Sequence, residues 1–266
     1  MKLLSDAQKA VVQKDFREMW DVPIVRNTLL IVALLLAVGL PVLFLVIVWA
    51  APANAFHGMD RVAKLLPPEA QHYNSRQSSF YMLTNLLGPM LFLMIPLMSS
   101  CVSAVSSFVG EKERGTLVTL LLTPLGVRGI FKAKVLGCIF LSAVITAVSF
   151  VALSVSISVG DILLGLPFFL NWDWLVLVFL FAPAITVFGV VFMVLVSARS
   201  KSYNESIQTS GFLVLPIVLL FVGQFVGLFS LNARAFLIVS LAVILVDIPL
   251  WLLSARSFTA EKLLRQ

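Results

Sequence analysis

Six long apolar runs, at 28–51, 80–108, 135–159, 174–198, 211–229 and 235–253, are separated by short polar stretches. A helix needs about 20 mostly apolar residues to cross the hydrocarbon core of a bilayer, and each run meets that length or comes close to it. The pattern predicts an all-α integral membrane protein with six transmembrane helices, forming one transmembrane domain over 1–266. The fifth and sixth runs are separated only by 230–234, which suits a tight helical hairpin. Pro216, Gly223 and Gly227 also leave open a broken or re-entrant fifth element. Ahead of the first run, residues 5–22 alternate charge with Val11, Val12, Phe16, Met19 and Trp20. The spacing 12, 16, 19, 20 puts apolar side chains on one helical face, with Lys9, Lys14 and Arg17 available to anionic headgroups. This reads as an amphipathic helix lying in the membrane interface. No internal repeat is visible, which argues against an inverted-repeat transporter.

Composition agrees: 60% of the 266 residues are hydrophobic and only 12% are charged, against about 25% in soluble domains. Charge then orients the spans. Of the 19 Lys and Arg residues, five fall in 1–27, five in 109–134, two in 199–210 and three in 254–266, whereas the alternate loops hold only three in 52–79, none in 160–173 and one in 230–234. Cytoplasmic loops carry the basic excess, so both termini and the 109–134 loop are expected in the cytoplasm. Ala53-Asn54-Ala55 resembles a signal-peptidase site. The run before it is too long for a signal peptide and follows a long polar segment, so an uncleaved signal-anchor is the expectation.

Candidate chemistry is sparse. Cys101 and Cys138 both sit in apolar runs and form no metal spacing, and His57 and His72 are a poor metal signal. No metal site is expected. There is no Walker A sequence, no His-Glu-x-x-His and no Gly-x-Ser-x-Gly, so no ATPase or hydrolase chemistry is expected. The one ionisable residue inside a run is Asp247, in Val246-Asp247-Ile248-Pro249. A charged side chain near the middle of a bilayer costs at least ~2.5 kcal/mol, so it marks either a structural pairing or an ion relay. Structural pairing is the preferred reading. Thr84, Asn85 and Gln224 are the other polar groups placed to line a path, or to act as interhelical glue.

The densest pattern is the loop over 111–124. Glu111-Lys112-Glu113-Arg114 ends the second span, and Gly115 permits a turn. Thr116 is placed to cap a short helix over 117–122, with Leu117, Leu120 and Leu121 on one face, and Thr123-Pro124 ends it. Lys132 and Lys134 anchor the next span. Such an apolar-faced surface helix suits contact with headgroups or with a cytoplasmic partner.

The string Glu-x-Glu-x-Gly-Thr-Leu-x-x-Leu-Leu-x-Thr-Pro, with a Lys opening the next span, resembles the intracellular loop of type-2 ABC transporter permeases. It is most similar to the stand-alone permeases of two-gene exporters that include sodium-extrusion and peptide-resistance systems. The segments Lys14-Asp15-Phe16-Arg17-Glu18, 197–205 and Phe258-Thr259-Ala260-Glu261-Lys262-Leu263-Leu264 resemble further parts of that family, so the likeness covers nearly the whole chain. Val118 and Ala260 depart from it, where relatives often carry Glu and Arg.

The resemblance implies a multi-pass permease of the bacterial plasma membrane that binds no cofactor itself. It would work with two copies of a separate ABC ATPase, which hold ATP and Mg, and with a second copy of the permease, and would bind no nucleic acid. By the same resemblance, Glu111, Glu113, Arg114, Gly115, Thr116, Leu117, Leu120, Leu121 and Pro124 would couple to the ATPase. Two other classes compete: a non-transporting membrane sensor or immunity component, and an ion-coupled secondary transporter using Asp247.

Overall fold

Apolar runs inserted in lipid must satisfy their own backbone groups, which leaves the helix as the only open-ended solution. The computed structural model describes residues 6–50, 72–115, 126–200, 202–226 and 232–257, and its regular elements among these are all helical. Helix α1 (Asp6–Asp21) is followed by six spans: Val25–Ala50, Ser75–Glu113, Val127–Leu164, Trp172–Ser197, Tyr203–Gln224 and Ala233–Ala255. The protein is thus a six-span, all-helical membrane protein. Residues 51–71, with His57, lie outside the described residues, as does 116–125, with Thr116, Leu117, Leu120, Leu121 and Pro124. The same holds for 258–266.

Span 5 is one helix rather than a re-entrant element, with a single 3-10 turn at Gly211–Leu213 just ahead of Pro216. Spans 2 and 3 are 39 and 38 residues long. At 1.5 Å per residue each is close to 57 Å, roughly twice the ~30 Å hydrocarbon core, so their ends stand clear of it.

Three prolines explain a recurring irregularity. Pro41, Pro89 and Pro183 each follow a π turn, at Leu35–Gly39, Leu83–Leu87 and Leu177–Phe181. A helical proline lacks an N–H and its ring collides with the carbonyl four residues back. The widened turn relieves that collision: Leu40 donates to Leu35 O, Gly88 to Leu83 O and Ala182 to Leu177 O, each five residues back. Pro96 and Pro249 stay within regular α-helix, so proline alone does not dictate the turn.

Span 2 is the centre of the bundle: 89% of its apolar window is buried, against 17% for span 6. Its sequence Ser99-Ser100-Cys101-Val102-Ser103-Ala104 keeps side chains small, and small residues let helices approach closely in lipid. Span 4 exploits this at Gly189, where a Cβ would collide with the Ser100 hydroxyl. The serines stay satisfied by donating to their own helix, Ser100 to Leu97 O at 2.7 Å and Ser103 to Ser99 O at 2.6 Å.

At the end away from α1, Trp174 packs among Phe92, Phe150 and Phe169. Side-chain acceptors close the loops there. Asp161 takes the Phe169 N–H at 3.1 Å, Asn171 takes that of Trp174 at 3.1 Å, and Asp173 takes that of Ala233, which opens span 6.

Helix α1 lies mainly against span 3, where Val12 meets Gly137, and touches spans 1 and 2. The sequence pattern pointed to the face through 12, 16, 19 and 20. The structure buries Met19 of that face together with Val11 and Asp15, leaves Val12 and Phe16 half-buried, and leaves Trp20 40% exposed, stacked on Phe16 at 6.3 Å. The rotation has a cause: protein covers one flank of the helix, so its buried stripe is set by span 3 as well as by lipid. A carboxylate, Asp15, sits in the middle of that stripe.

Candidate functional site

The described ends of the 111–124 loop are two helical stems, the end of span 2 and the start of span 3. Four consecutive residues cover a full turn of helix, so Glu111, Lys112, Glu113 and Arg114 point in four directions from the end of span 2. Glu111 and Arg114, three residues apart, both reach α1, while Lys112 and Glu113 reach the connection into span 5. Glu111 Oε2 lies 2.8 Å from Lys134 Nζ on span 3 and its Oε1 lies 3.4 Å from Lys14 on α1. Lys112 donates to Ser200 O at 3.2 Å, in the connection to span 5. Glu113 Oε1 accepts the Tyr203 N–H at 2.7 Å, satisfying one of the orphan donors at the first turn of span 5. Arg114 reaches Glu18 of α1 at 3.0 Å.

The core of this hub is Lys134, which is 0% exposed and lies between Asp15 and Glu111, each 3% exposed. Its ammonium donates to Asp15 Oδ2 at 3.2 Å, to Ser107 O at 3.1 Å and to Ser107 Oγ at 3.2 Å, and it stands 5.7 Å from the Phe108 ring centre. The Ser107 hydroxyl donates to Asp15 Oδ2 at 3.1 Å. A buried cation is tolerable only with such a complete shell, since its desolvation costs several kcal/mol. Burial pushes the Asp15 carboxyl above its ordinary value; Lys134 opposes the shift and Glu111 reinforces it. For Lys14, burial acts downward, but Glu111 and Glu18 outweigh it and its pKa rises.

Asp15, Glu18 and Glu111 bring carboxylate oxygens within 4.8 Å of one another, a spacing that also suits a metal ion. Lys14, Arg114 and Lys134 pair with these same three carboxylates, so the charges balance without one. The cavity beside them, lined by Asp15, Ser107, Glu111 and Arg114 among others, is about 10 Å³, room for one water. The arrangement is a closed ion-pair network that joins helices.

The site residues expected from the sequence fall into separate places. Glu111 turns inward onto Lys134. Glu113, Arg114 and Gly115 are exposed, and Gly115 adopts φ +70°, the left-handed turn a glycine allows. Thr84 and Asn85 lie toward the far end, where Thr84 donates to Tyr81 O at 3.0 Å and Asn85 accepts from Asn171 Nδ2 at 3.2 Å. Gln224 ends span 5 with its Oε1 buried and without a hydrogen-bond partner. Asp247, 7% exposed, lies one turn from Trp251, which packs on Phe131 near the stems, and its Oδ1 has no hydrogen-bond partner either. Asn85 donates to Thr84 Oγ1 at 3.0 Å, but among the described residues no hydrogen bond joins this pair to Gln224 or Asp247.

Asp15 and Ser107 belong to the buried cluster around Lys134 and were not among the site residues expected from the sequence. The signal was present: Asp15 is four residues from both Val11 and Met19, on an apolar stripe, and Lys134 begins an apolar run.

Six spans, a helix α1 packed against the first three and a charged loop stem tied into the bundle define a multi-pass helical membrane protein with a fixed attachment point for one loop. The sequence model of the ABC-2 family transporter proteins matches residues 9–247, and the chain belongs to that family, as a membrane component of an ABC transporter. Members are membrane subunits, not ATPases themselves, and generally work with an ABC ATPase partner. No curated protein and no solved structure matches the chain.

Proposed function

We propose that the chain is the membrane-spanning permease of an ATP-driven exporter, with the 111–124 loop as the element on which a separate ABC ATPase acts. The observation that carries this is the hub at the loop's base. A loop meant only to connect two spans has no need of a buried lysine and of attachments to α1, span 3 and span 5. In this reading the basic excess holds α1, the loop and both termini in the cytoplasm of a bacterial cell, and the chain forms one domain. Two permeases and two ATPases make the working unit. ATP and Mg belong to the partner; this chain binds neither.

The Leu117, Leu120 and Leu121 face is the docking surface, and Glu113, Arg114, Gly115, Thr116 and Pro124 shape its approach. The test is co-purification from the native membrane. The wild-type chain brings down an ABC ATPase, and L117D/L120D loses it while still inserting. An ATPase retained at full yield by L117D/L120D would remove the loop from this role.

A further inference from the structure

We infer that Asp15, Glu111 and Lys134 form the joint through which movement of the 111–124 loop is passed to α1, and that these side chains are not themselves part of the docking face. This rests on the reading of the loop as the element an ATPase moves.

Access argues first. Lys134 is 0% exposed and Asp15 and Glu111 are 3% exposed, so a docking protein has no route to them. Position argues next. Glu111 ends the stem that enters the loop, Lys134 lies on the stem that leaves it, and Asp15 belongs to a third helix. One ammonium therefore binds three elements at a single point, with Ser107 closing the shell. The glycines Gly115 and Gly126 border the loop. A load crossing them enters the bundle at Arg114 and Val127, and the first buried polar contacts beyond are these.

Chemistry argues last. In a low-dielectric site a charge-assisted contact resists separation far more than it resists joint translation, because parting the charges leaves each buried and unpaired. The three elements must move together or break apart at high cost. The second attachment, Arg114 to Glu18 at 3.0 Å, is 42% and 31% exposed at its two side chains. It is worth little and cannot replace the buried joint. Val11 and Met19 flank Asp15 on the same face, so α1 is seated by apolar contact and latched by charge.

The test has two arms, both on the full chain in lipid nanodiscs. In the first, the isolated chain is compared with the neutral D15N/E111Q/K134M variant by hydrogen exchange. Charge-assisted hydrogen bonds are worth about 1.5–3 kcal/mol, so α1 amides should exchange about tenfold or more faster in the variant, while span 2 stays protected. Unchanged α1 exchange overturns the joint, whatever the ATPase does.

In the second arm, spin labels are placed at Gln13 and Ile162, both exposed, in a background without Cys101 and Cys138. The chain is studied with its co-purifying ABC ATPase. The wild-type distance should shift when ATP is trapped. The neutral variant should still bind the ATPase but lose the shift, and the exchanged pair D15K/K134D should recover it. A shift that persists in the neutral variant, or no shift in the wild type, overturns the inference. Loss of ATPase binding by the neutral variant also overturns it, because the residues would then be docking contacts. A wild-type chain that binds no ABC ATPase defeats the proposed function instead, and the first arm still decides whether the joint exists.

Discussion

Lys134 Nζ stands 2.8 Å from Glu111 Oε2, so the two stems of the loop are joined at its base by an ion pair that is almost wholly buried. The pair also takes in Asp15 from a helix that precedes all six spans. Stability at this point depends on charge balance among buried side chains.

Replacing Lys134 with Met should therefore be costly. It leaves the Asp15 and Glu111 carboxylates buried without their shared cation, and breaking a buried pair from one side costs about 3–5 kcal/mol. The neutral triple variant should recover most of that loss. Thermal unfolding of the purified chain in one detergent gives both numbers; a K134M midpoint equal to wild type would mean that the cluster is hydrated.

The pH dependence of stability tests Asp15 separately. Its folded pKa is raised above the ordinary 3.8, so between 3.8 and the folded value the native state holds more protons than the unfolded one. Stability contributed by this group then falls as pH rises through that window. The difference in unfolding midpoint between wild type and D15N should drift in favour of D15N from acidic to neutral pH. A drift of opposite sign would mean that Lys134 dominates over burial.

Gly189 and Ser100 make a packing prediction at the centre of the bundle. A Cβ at 189 has no room beside the Ser100 hydroxyl, and overpacking costs typically ~1–3 kcal/mol. G189A should lose about that much stability, and S100G should restore it in the double variant. Additive losses in the double-mutant cycle would show that the two positions do not share one space.

Asp15 is paired through its Oδ2 with Lys134 although its Oδ1 is buried without a hydrogen-bond partner, whereas Asp247 has no ion pair among the described residues. The Oδ1 of Asp247 is likewise buried without a hydrogen-bond partner, and burying a charged carboxylate in a span without a partner is costly. D247N should therefore be at least as stable as wild type in thermal unfolding and should leave ATP-driven activity of the reconstituted complex intact. Loss of an ATP-independent flux in D247N would instead favour an ion-coupled transporter.

The sequence by itself determined the six helices, their order and the presence of α1. Each follows from local apolar runs long enough to cross lipid, and no packing is needed to recognise them. The run at 211–229 shows the limit: the helix begins at Tyr203, because Ser202 and Glu113 supply caps to a polar first turn that hydropathy does not register. The charged string 111–114 was legible as a place of interest, and three of its residues read as surfaces for a partner.

Only the tertiary structure decided where those charges go. Ion pairs between Glu111, Asp15 and Lys134 link three helices far apart in sequence, and no periodicity encodes which face of α1 meets span 3. Burial there depends on neighbours, so a carboxylate that looks solvated in a charged stretch becomes the buried partner of a lysine.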